Sequence, residues 1–194
     1  MSTTQALLQP IQVGDLQLKN RVWMAPMTRS RANNPENKVF DIHAKYYAQR
    51  ASSGLIISEG SQISPRAVGY INTPGIYSEA QTEAWKQVTQ AVHEAGGHIF
   101  IQLWHVGRMS HPDFHGGELP LSASATNPNS KSYTPQGFKD TVTAKEMTLE
   151  EIKQTIADFK NGAKNAMEAG FDGVEIHSSN GYLLHQFFNS TSNH

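Results

Sequence analysis

Four short, mostly apolar segments are spaced along the chain, and polar side chains follow each of them. Nearly continuous apolar runs of this length are typical of strands that are buried on both faces of a parallel sheet. We expect these strands at about residues 21–28, 54–59, 98–104 and 173–177. Before them, apolar and polar residues alternate on both sides of Gly14-Asp15, which predicts a hairpin at about residues 11–18.

Amphipathic segments separate the four strands. Residues 40–51 form the first, while capping boxes begin the second at residues 78–81 and the third at residues 148–151. In the third, apolar positions from Leu149 to Met167 mark one face of a helix. Apolar strands that alternate with such helices predict an α/β fold with a covered parallel sheet.

One long segment, residues 105–147, is rich in Gly, Pro, Ser and His and has no clear period. Loops of this length in a compact domain usually carry function. We expect it to cross an active-site face and to contain a small hairpin.

Polar residues gather where the predicted strands end, at Thr28, Glu59, Gln102 and His177. Parallel α/β folds bind their ligands at the carboxyl ends of the strands. The four polar ends are therefore expected to share one rim.

Composition removes several classes of function. The 194 residues carry 16 Lys and Arg against 17 Asp and Glu, so charge gives no reason to expect nucleic acid or an anionic membrane as partner. The absence of cysteine excludes disulfides, thiolate metal sites and a cysteine nucleophile. No compact histidine pair or carboxylate cluster predicts a metal site. No secretory signal or membrane-spanning run is visible, so we expect a cytoplasmic protein.

The most informative chemistry follows the fourth strand, where a polar turn carries His177, Asn180 and Tyr182. The first two can direct neutral donors at one carbonyl or nitro oxygen, and a phenol beside them can supply a proton. The alternatives are a strand-end histidine bonded to backbone, a polar capping turn and a partly buried aromatic.

Three further rim residues are weaker candidates. The amide of Gln102 suits the edge of a planar heterocycle, Gly60 permits close backbone approach, and Thr28 offers a hydroxyl. Each is also an ordinary residue for the end of a strand.

Together these residues resemble the Old Yellow Enzyme family of FMN-dependent ene-reductases. The matching segments are residues 20–31, 59–65, 102–108 and 177–188. The resemblance implies a (β/α)8 TIM barrel, with residues 1–194 as the N-terminal half of one FMN-binding domain that supplies the hairpin and the first four β/α units.

The resemblance also implies roles. His177 and Asn180 would grip the oxygen of an α,β-unsaturated carbonyl or nitro compound, Tyr182 would protonate the α-carbon, and Trp104 would shape the substrate side. NADPH would reduce the flavin in ping-pong turnover. The residues implied to contact FMN are Ala25, Pro26, Met27, Thr28, Gly60, Gln102 and His177.

Family members continue through four more strands that this sequence lacks. We therefore expect a second polypeptide to supply strands five to eight, and the isolated chain to be inactive. The alternatives are a non-catalytic half-barrel or interaction module without flavin, and a homodimer that rebuilds an eight-stranded ring.

Overall fold

The computed structural model describes residues 4–194. Its helices are α1 (Thr4–Leu7), α2 (Asp41–Ala48), α3 (Glu79–Glu94), α4 (Leu149–Glu168) and α5 (Leu183–Phe188). Its strands are β1 (Ile11–Val13), β2 (Leu16–Leu18), β3 (Trp23–Met24), β4 (Leu55–Gln62), β5 (Ile99–Trp104), β6 (Leu121–Ser122), β7 (Lys131–Thr134), β8 (Gly137–Asp140), β9 (Lys145–Glu146) and β10 (Gly173–Ile176).

The central sheet has four parallel strands in the order β10-β5-β4-β3. Neighbours in this sheet are also consecutive β/α units of the chain, with α2, α3 and α4 as the crossovers. A sheet that is wound in one direction only, with its strands in sequence order, is the arrangement of a (β/α)8 barrel rather than of a doubly wound fold.

The outer face of the sheet packs against the helices in one apolar core. Ile56, Ile101 and Leu103 from the strands join Tyr47 of α2 and Trp85 of α3 in this cluster. Aromatic packing continues from Trp85 to Phe171, whose ring lies 5.2 Å away, edge to face. Because all three helices share this core, they lie on one face of the sheet.

The inner face is closed at its amino end by the β1–β2 hairpin. Leu18 is fully buried and packs with Leu55 and Ile57, which alternate with the outward residues of β4. Gly14, with φ 55, takes the first central position of the two-residue turn, where a type II′ hairpin needs positive φ. The hairpin therefore forms the floor beneath the inner face.

A bulge interrupts the pairing of β4 with β5. Ile57 pairs with Phe100 and Gly60 with Gln102, so Ser58 and Glu59 stand opposite a single residue. A bulge of this kind redirects side chains next to it. Here it returns the strand to an inward-facing register at Gly60, near the carboxyl rim.

The strand bounds differ from the sequence expectation at two places. β3 covers only Trp23–Met24 of the predicted residues 21–28, since Pro26 has no N–H to donate to a ladder. β4 runs on to Gln62, beyond the predicted end at residue 59, because its polar residues Ser61 and Gln62 pair with Leu103 and Trp104 of β5.

The expected buried face of α4 is wrong in part. Leu149, Ile156 and Met167 are 74%, 65% and 77% exposed. The buried positions are Thr155, Gly162 and Ala166, of which Ala166 belongs to the predicted face. Gly162 brings the helix against Ile63 and Leu103. The apolar residues that periodicity assigned to one face thus divide between the sheet and solvent.

The predicted excursion after β5 contains two 3₁₀ turns, a parallel β6–β9 pair and the β7–β8 hairpin. The expected small hairpin is therefore present, with Ser132 and Thr134 on its buried side. The β6–β9 pair closes the excursion on itself before α4 begins.

Both edges of the central sheet expose apolar residues. Ile176 on β10 is 53% exposed and Trp23 on β3 is 46% exposed. Neither edge pairs with another strand of the described residues. Open parallel edges with apolar side chains favour pairing with further strands.

The capping box of α3 gives a direct test of the fold. Ser78 Oγ accepts from Gln81 N–H at 3.2 Å, and Gln81 Oε1 accepts from Ser78 N–H at 3.2 Å. We expect Ser78→Ala to lower the free energy of unfolding by about 1 kcal/mol, because the N–H of Gln81 loses its acceptor at the helix start. Urea denaturation measures this loss. Ser78→Asp, which can still cap, should lose much less, and an equal loss in both variants would contradict the capping role.

Candidate active site

A cleft of about 330 Å³ opens at the carboxyl rim of the central sheet. It collects residues that the sequence placed at the ends of three different strands. Its lining consists of Pro26, Thr28, Gln102, Trp104, Glu175, His177, Ser179, Asn180 and Tyr182.

The turn after β10 brings four of these residues, His177, Ser179, Asn180 and Tyr182, to the cleft. Asn180 and Gly181 both have left-handed backbones, with φ 58 and 79, which asparagine and glycine tolerate best. Tyr182 N–H then donates to Ser179 O at 3.2 Å, and Leu183 N–H donates to His105 O at 3.1 Å. The reversal lets Asn180 and Tyr182 line the same cleft although they are close in sequence.

The side chain of Gln186, on α5, holds this turn in place through hydrogen bonds. Its amide Nε2 donates to Gly181 O at 2.7 Å and to Val106 O at 3.2 Å, and its Oε1 accepts from Arg108 N–H at 3.2 Å. The side chain is 1% exposed. A buried amide with all of these partners holds the turn against the chain that leaves β5.

His177 is set up as a neutral hydrogen-bond donor. Burial lowers its pKa, although the nearby Glu175 carboxylate raises it. Its Nδ1 accepts from Ser179 N–H at 3.4 Å. In a neutral ring the proton then lies on Nε2, which can donate to a ligand.

Three aromatic rings pack around Trp104. Its indole stacks on His177 at 6.0 Å and on Tyr70 at 5.2 Å, while Tyr182 meets it edge to face at 5.0 Å. Such offset and edge contacts are the favoured aromatic geometries. The packing fixes the orientation of the imidazole and of the phenol that face the cleft.

Tyr182 is held by a second phenol, that of Tyr70, which no sequence pattern predicts. The hydroxyls of Tyr70 and Tyr182 lie 2.8 Å apart, within hydrogen-bond distance. Burial raises the pKa of Tyr182 well above its usual value, and the bond to Tyr70 raises it further. Tyr70 belongs to the loop after β4, where no periodic pattern marks single residues, so only the fold reveals it.

The inner layer below the rim is also polar. Gln102 Nε2 donates to Glu175 Oε1 at 2.7 Å, which fixes the carboxamide beside the cleft. Gly60 lies next to them, where an added Cβ would be 2.5 Å from the Trp104 ring. Glycine is thus needed at this position, because a larger residue would clash with the indole of Trp104. The contact of Glu175 with Gln102 was not predicted, because Glu175 lies inside the predicted fourth strand and was interpreted only as a strand residue.

The predicted flavin-contacting residues do not all line the cleft. Pro26, Thr28, Gln102 and His177 do, whereas Ala25, Met27 and Gly60 are not among its lining residues. The side chain of Met27 is 42% exposed. In extended backbone, alternate side chains point to opposite sides, which separates Met27 from Pro26 and Thr28.

A larger cleft of about 550 Å³ lies beside the first and is lined by Tyr70, Asn72, Tyr77, Asp113 and Phe114, among other residues. Its Tyr70 bonds to Tyr182 of the smaller cleft. The three candidate catalytic side chains, His177, Asn180 and Tyr182, line the smaller cleft and not this one. The chemistry therefore belongs to the smaller cleft.

Residues 4–194 contain no group of three or more His, Cys, Asp or Glu side chains arranged to hold a metal ion. Within the same residues, none of the helices has the length and apolar character needed to cross a membrane.

Known proteins match this chain closely. Flavin oxidoreductase hxnT of Emericella nidulans is 43% identical over 197 residues, covering 100% of this chain and 50% of that protein. The 12-oxophytodienoate reductase 1 of Oryza sativa subsp. japonica is 47% identical over 192 residues, covering 96% and 48%. The structure of the old yellow enzyme homologue from Zymomonas mobilis aligns with a TM-score of 0.91 and 46% identity, covering 97% and 53%.

This chain spans about half the length of the curated relatives that it matches. The structural alignment likewise places it on the N-terminal part of a TIM barrel, as the order of its strands indicates. The sequence pattern of the NADH:flavin oxidoreductase / NADH oxidase family matches residues 6–194. The chain therefore belongs to this family, that of Old Yellow Enzyme, and covers its N-terminal half.

Proposed function

We propose that this chain forms half of an FMN-dependent ene-reductase that uses NADPH to reduce the C=C bond of α,β-unsaturated carbonyl or nitro compounds. One observation carries the proposal: two neutral donors and a phenol, His177, Asn180 and Tyr182, converge on a cleft that Thr28 and Gln102 also line. We place the protein in the cytoplasm because its composition has no cysteine.

The cleft suits the ring of FMN. Thr28 offers a hydroxyl, Gln102 an amide held by Glu175, and the indole of Trp104 provides a flat wall nearby. We assign contacts with the ring to Ala25, Pro26, Met27, Thr28, Gly60, Gln102 and His177. The Thr28 hydroxyl would donate to a ring carbonyl and so tune the reduction potential.

The substrate oxygen would lie between His177 and Asn180. Because His177 is neutral with its free proton on Nε2, it donates without first having to lose a charge. Two neutral donors stabilise negative charge that grows on a carbonyl or nitro oxygen. Trp104 would limit the space on the substrate side.

Tyr182 would protonate the α-carbon. Its raised pKa keeps the phenol protonated at neutral pH. Either hydroxyl of the Tyr70–Tyr182 pair can donate across 2.8 Å. When the Tyr182 proton points to the substrate instead of to Tyr70, Tyr70 would donate to the Tyr182 oxygen as negative charge develops there. When bound, FMN would supply the hydride chemistry between NADPH and the β-carbon, in ping-pong order.

The described residues supply four strands of the central sheet and leave both of its edges open. The exposed apolar residues Trp23 and Ile176 lie at the two open sheet edges, and Leu149, Ile156 and Met167 lie exposed on α4. Further strands and helices would cover them. We propose that a second polypeptide carries strands five to eight and that the isolated chain is inactive.

A second candidate function is a half-barrel that binds no flavin and acts only as an interaction module. The same open edges favour it, because they can pair with another protein without any cofactor. Flavin content separates the two functions.

The first test concerns assembly. We expect denaturing mass analysis of the native protein to find a companion polypeptide with strands five to eight, and the complex to carry visible flavin absorbance. The chain alone should be colourless and inactive with NADPH or NADH. A colourless complex would favour the interaction module, and a flavin-loaded homodimer would contradict the need for a second polypeptide.

The second test concerns the proton donor, in the flavin-loaded assembly. Tyr182→Phe should slow the reduction of a cyclic enone by about 10²-fold or more, because the α-carbon loses its acid. Reduction of the flavin by NADPH, followed by stopped-flow absorbance, should be almost unchanged. A full rate of enone reduction in this variant would rule out the role.

Tyr70→Phe is the companion variant. It keeps the ring that stacks on Trp104 but removes the hydroxyl that faces Tyr182. We expect a loss of about tenfold in the same half-reaction, since one hydrogen bond to a developing charge disappears. An effect on flavin reduction instead would show that Tyr70 does not act through Tyr182.

The third test concerns the oxygen grip. The double variant His177→Ala, Asn180→Ala should bind a phenol inhibitor about 10- to 100-fold more weakly, because two donors to the phenolate are lost. Titration of the flavin absorbance with the phenol measures the change. Exposed His93 is a suitable control, and His93→Ala should bind the phenol normally. Unaltered phenol binding by the double variant would refute the grip.

A further inference from the structure

The segment of residues 25–31 carries Thr28 to the cleft, yet it has few attachments to the rest of the protein. The parallel ladder ends at Met24, and the next long-range backbone bond joins Ala32 N–H to Asn72 O at 2.8 Å. The Arg31 guanidinium bonds only to carbonyls of its own segment, those of Arg29 and Ser30. Something else must fix the position of Thr28.

Glu59 makes that attachment. Its Oε2 accepts from Arg29 N–H at 3.0 Å, one residue beyond Thr28. Among the described residues, this is the hydrogen bond that ties segment 25–31 to another element. The Glu59 side chain is fully buried.

The bulge in β4 explains why a carboxylate is available here. Ser58 and Glu59 stand opposite one residue of β5, so the inward register resumes only at Gly60. Ser58 Oγ accepts from Gln102 N–H at 3.2 Å and donates to Glu59 O at 2.9 Å, which holds the bulge in shape. Glu59 can then reach α2 and the Thr28 segment.

The second carboxylate oxygen is held from α2. Tyr47 is fully buried and donates its hydroxyl to Glu59 Oε1 at 3.2 Å, while the same hydroxyl accepts from Glu59 N–H at 2.9 Å. This reciprocal pair fixes the direction of the carboxylate. It therefore links β4, α2 and segment 25–31 at one point.

The charges around Glu59 favour this arrangement. Burial raises its pKa to about 7, while the bonds from Arg29 N–H and Tyr47 and the positive charges of Arg29 and Arg31 act in the opposite direction. The Arg29 guanidinium also lies 5.2 Å from the centre of the Tyr46 ring, on the same helix as Tyr47. Segment 25–31 is thus drawn toward α2 by charge as well as by the hydrogen bond.

We propose that Glu59 is a positioning residue for the cofactor pocket, which holds segment 25–31 against β4 and α2 and thereby sets where the Thr28 hydroxyl lies. This inference rests on the proposed function, because under that function the Thr28 hydroxyl contacts the flavin ring. Glu59 itself does not line the cleft.

Hydrogen exchange tests the attachment in the assembled protein. Glu59→Leu removes both acceptors, so amides in segment 25–31 should exchange about tenfold faster or more, whereas Glu59→Gln keeps one oxygen and should change them less. Tyr47→Phe, which frees the carboxylate but leaves it present, should give an intermediate increase and serves if Glu59→Leu does not fold. Exposed Glu83→Gln is the matched control and should exchange like the original protein.

The flavin reduction potential tests the consequence. Thr28→Val should lower the potential, since a donor to the ring carbonyl is lost, and Glu59→Leu should shift it in the same direction. The double variant should match Thr28→Val alone, because Glu59 acts through Thr28. Additive shifts, or unchanged exchange in Glu59→Leu, would overturn the proposal. If the original assembly contained no flavin, that result would instead contradict the proposed function. The hydrogen-exchange rates would still show whether Glu59 holds segment 25–31.

Discussion

The parallel register of β4, β5 and β10 is the constraint on which the site depends. Gly60 pairs with Gln102, and Gln102 pairs with Glu175, so one inward layer runs across three strands. Two residues further along β5 and β10, the same inward direction brings Trp104 and His177 together, stacked at 6.0 Å. A shift of one residue in any strand would turn these side chains into the helical core.

Polar groups at the rim are held by pairs that leave one function free. Glu175 takes one amide hydrogen of Gln102, Ser179 occupies Nδ1 of His177, and Tyr70 meets the hydroxyl of Tyr182. Buried polar groups without partners are costly, so such pairs are expected in a packed site. Here each pair also fixes a direction, and within the described residues Nε2 of His177 and Oε1 of Gln102 are left for a ligand.

The sequence predicted the helices and strands, which depend on local patterns of residues. It did not predict contacts between residues that only the folded chain brings together. Alternating residues predicted the hairpin, apolar runs predicted the four parallel strands, and amphipathic segments predicted their helices. Of the four strand-end residues expected at the rim, Thr28, Gln102 and His177 line the cleft, whereas Glu59 does not. Tyr70 was missed because it comes from a loop, where no period marks a contact with Tyr182. The role of Glu59 was missed because the bulge that redirects it depends on pairing with β5. The exposure of Leu149 could not be predicted. Periodicity predicts which residues share one face of a helix, but not which element packs against that face.

Closure of the barrel and binding of the cofactor are coupled under the proposed function. Pro26 and Thr28 on one side and His177 on the other border a cleft whose remaining wall lies beyond the open edges of β3 and β10. A ring that contacts both halves binds the closed form more tightly than either half alone. By linkage it must then strengthen the association of the halves by the same factor. The polar rim and the exposed apolar edges are therefore two parts of one binding equilibrium.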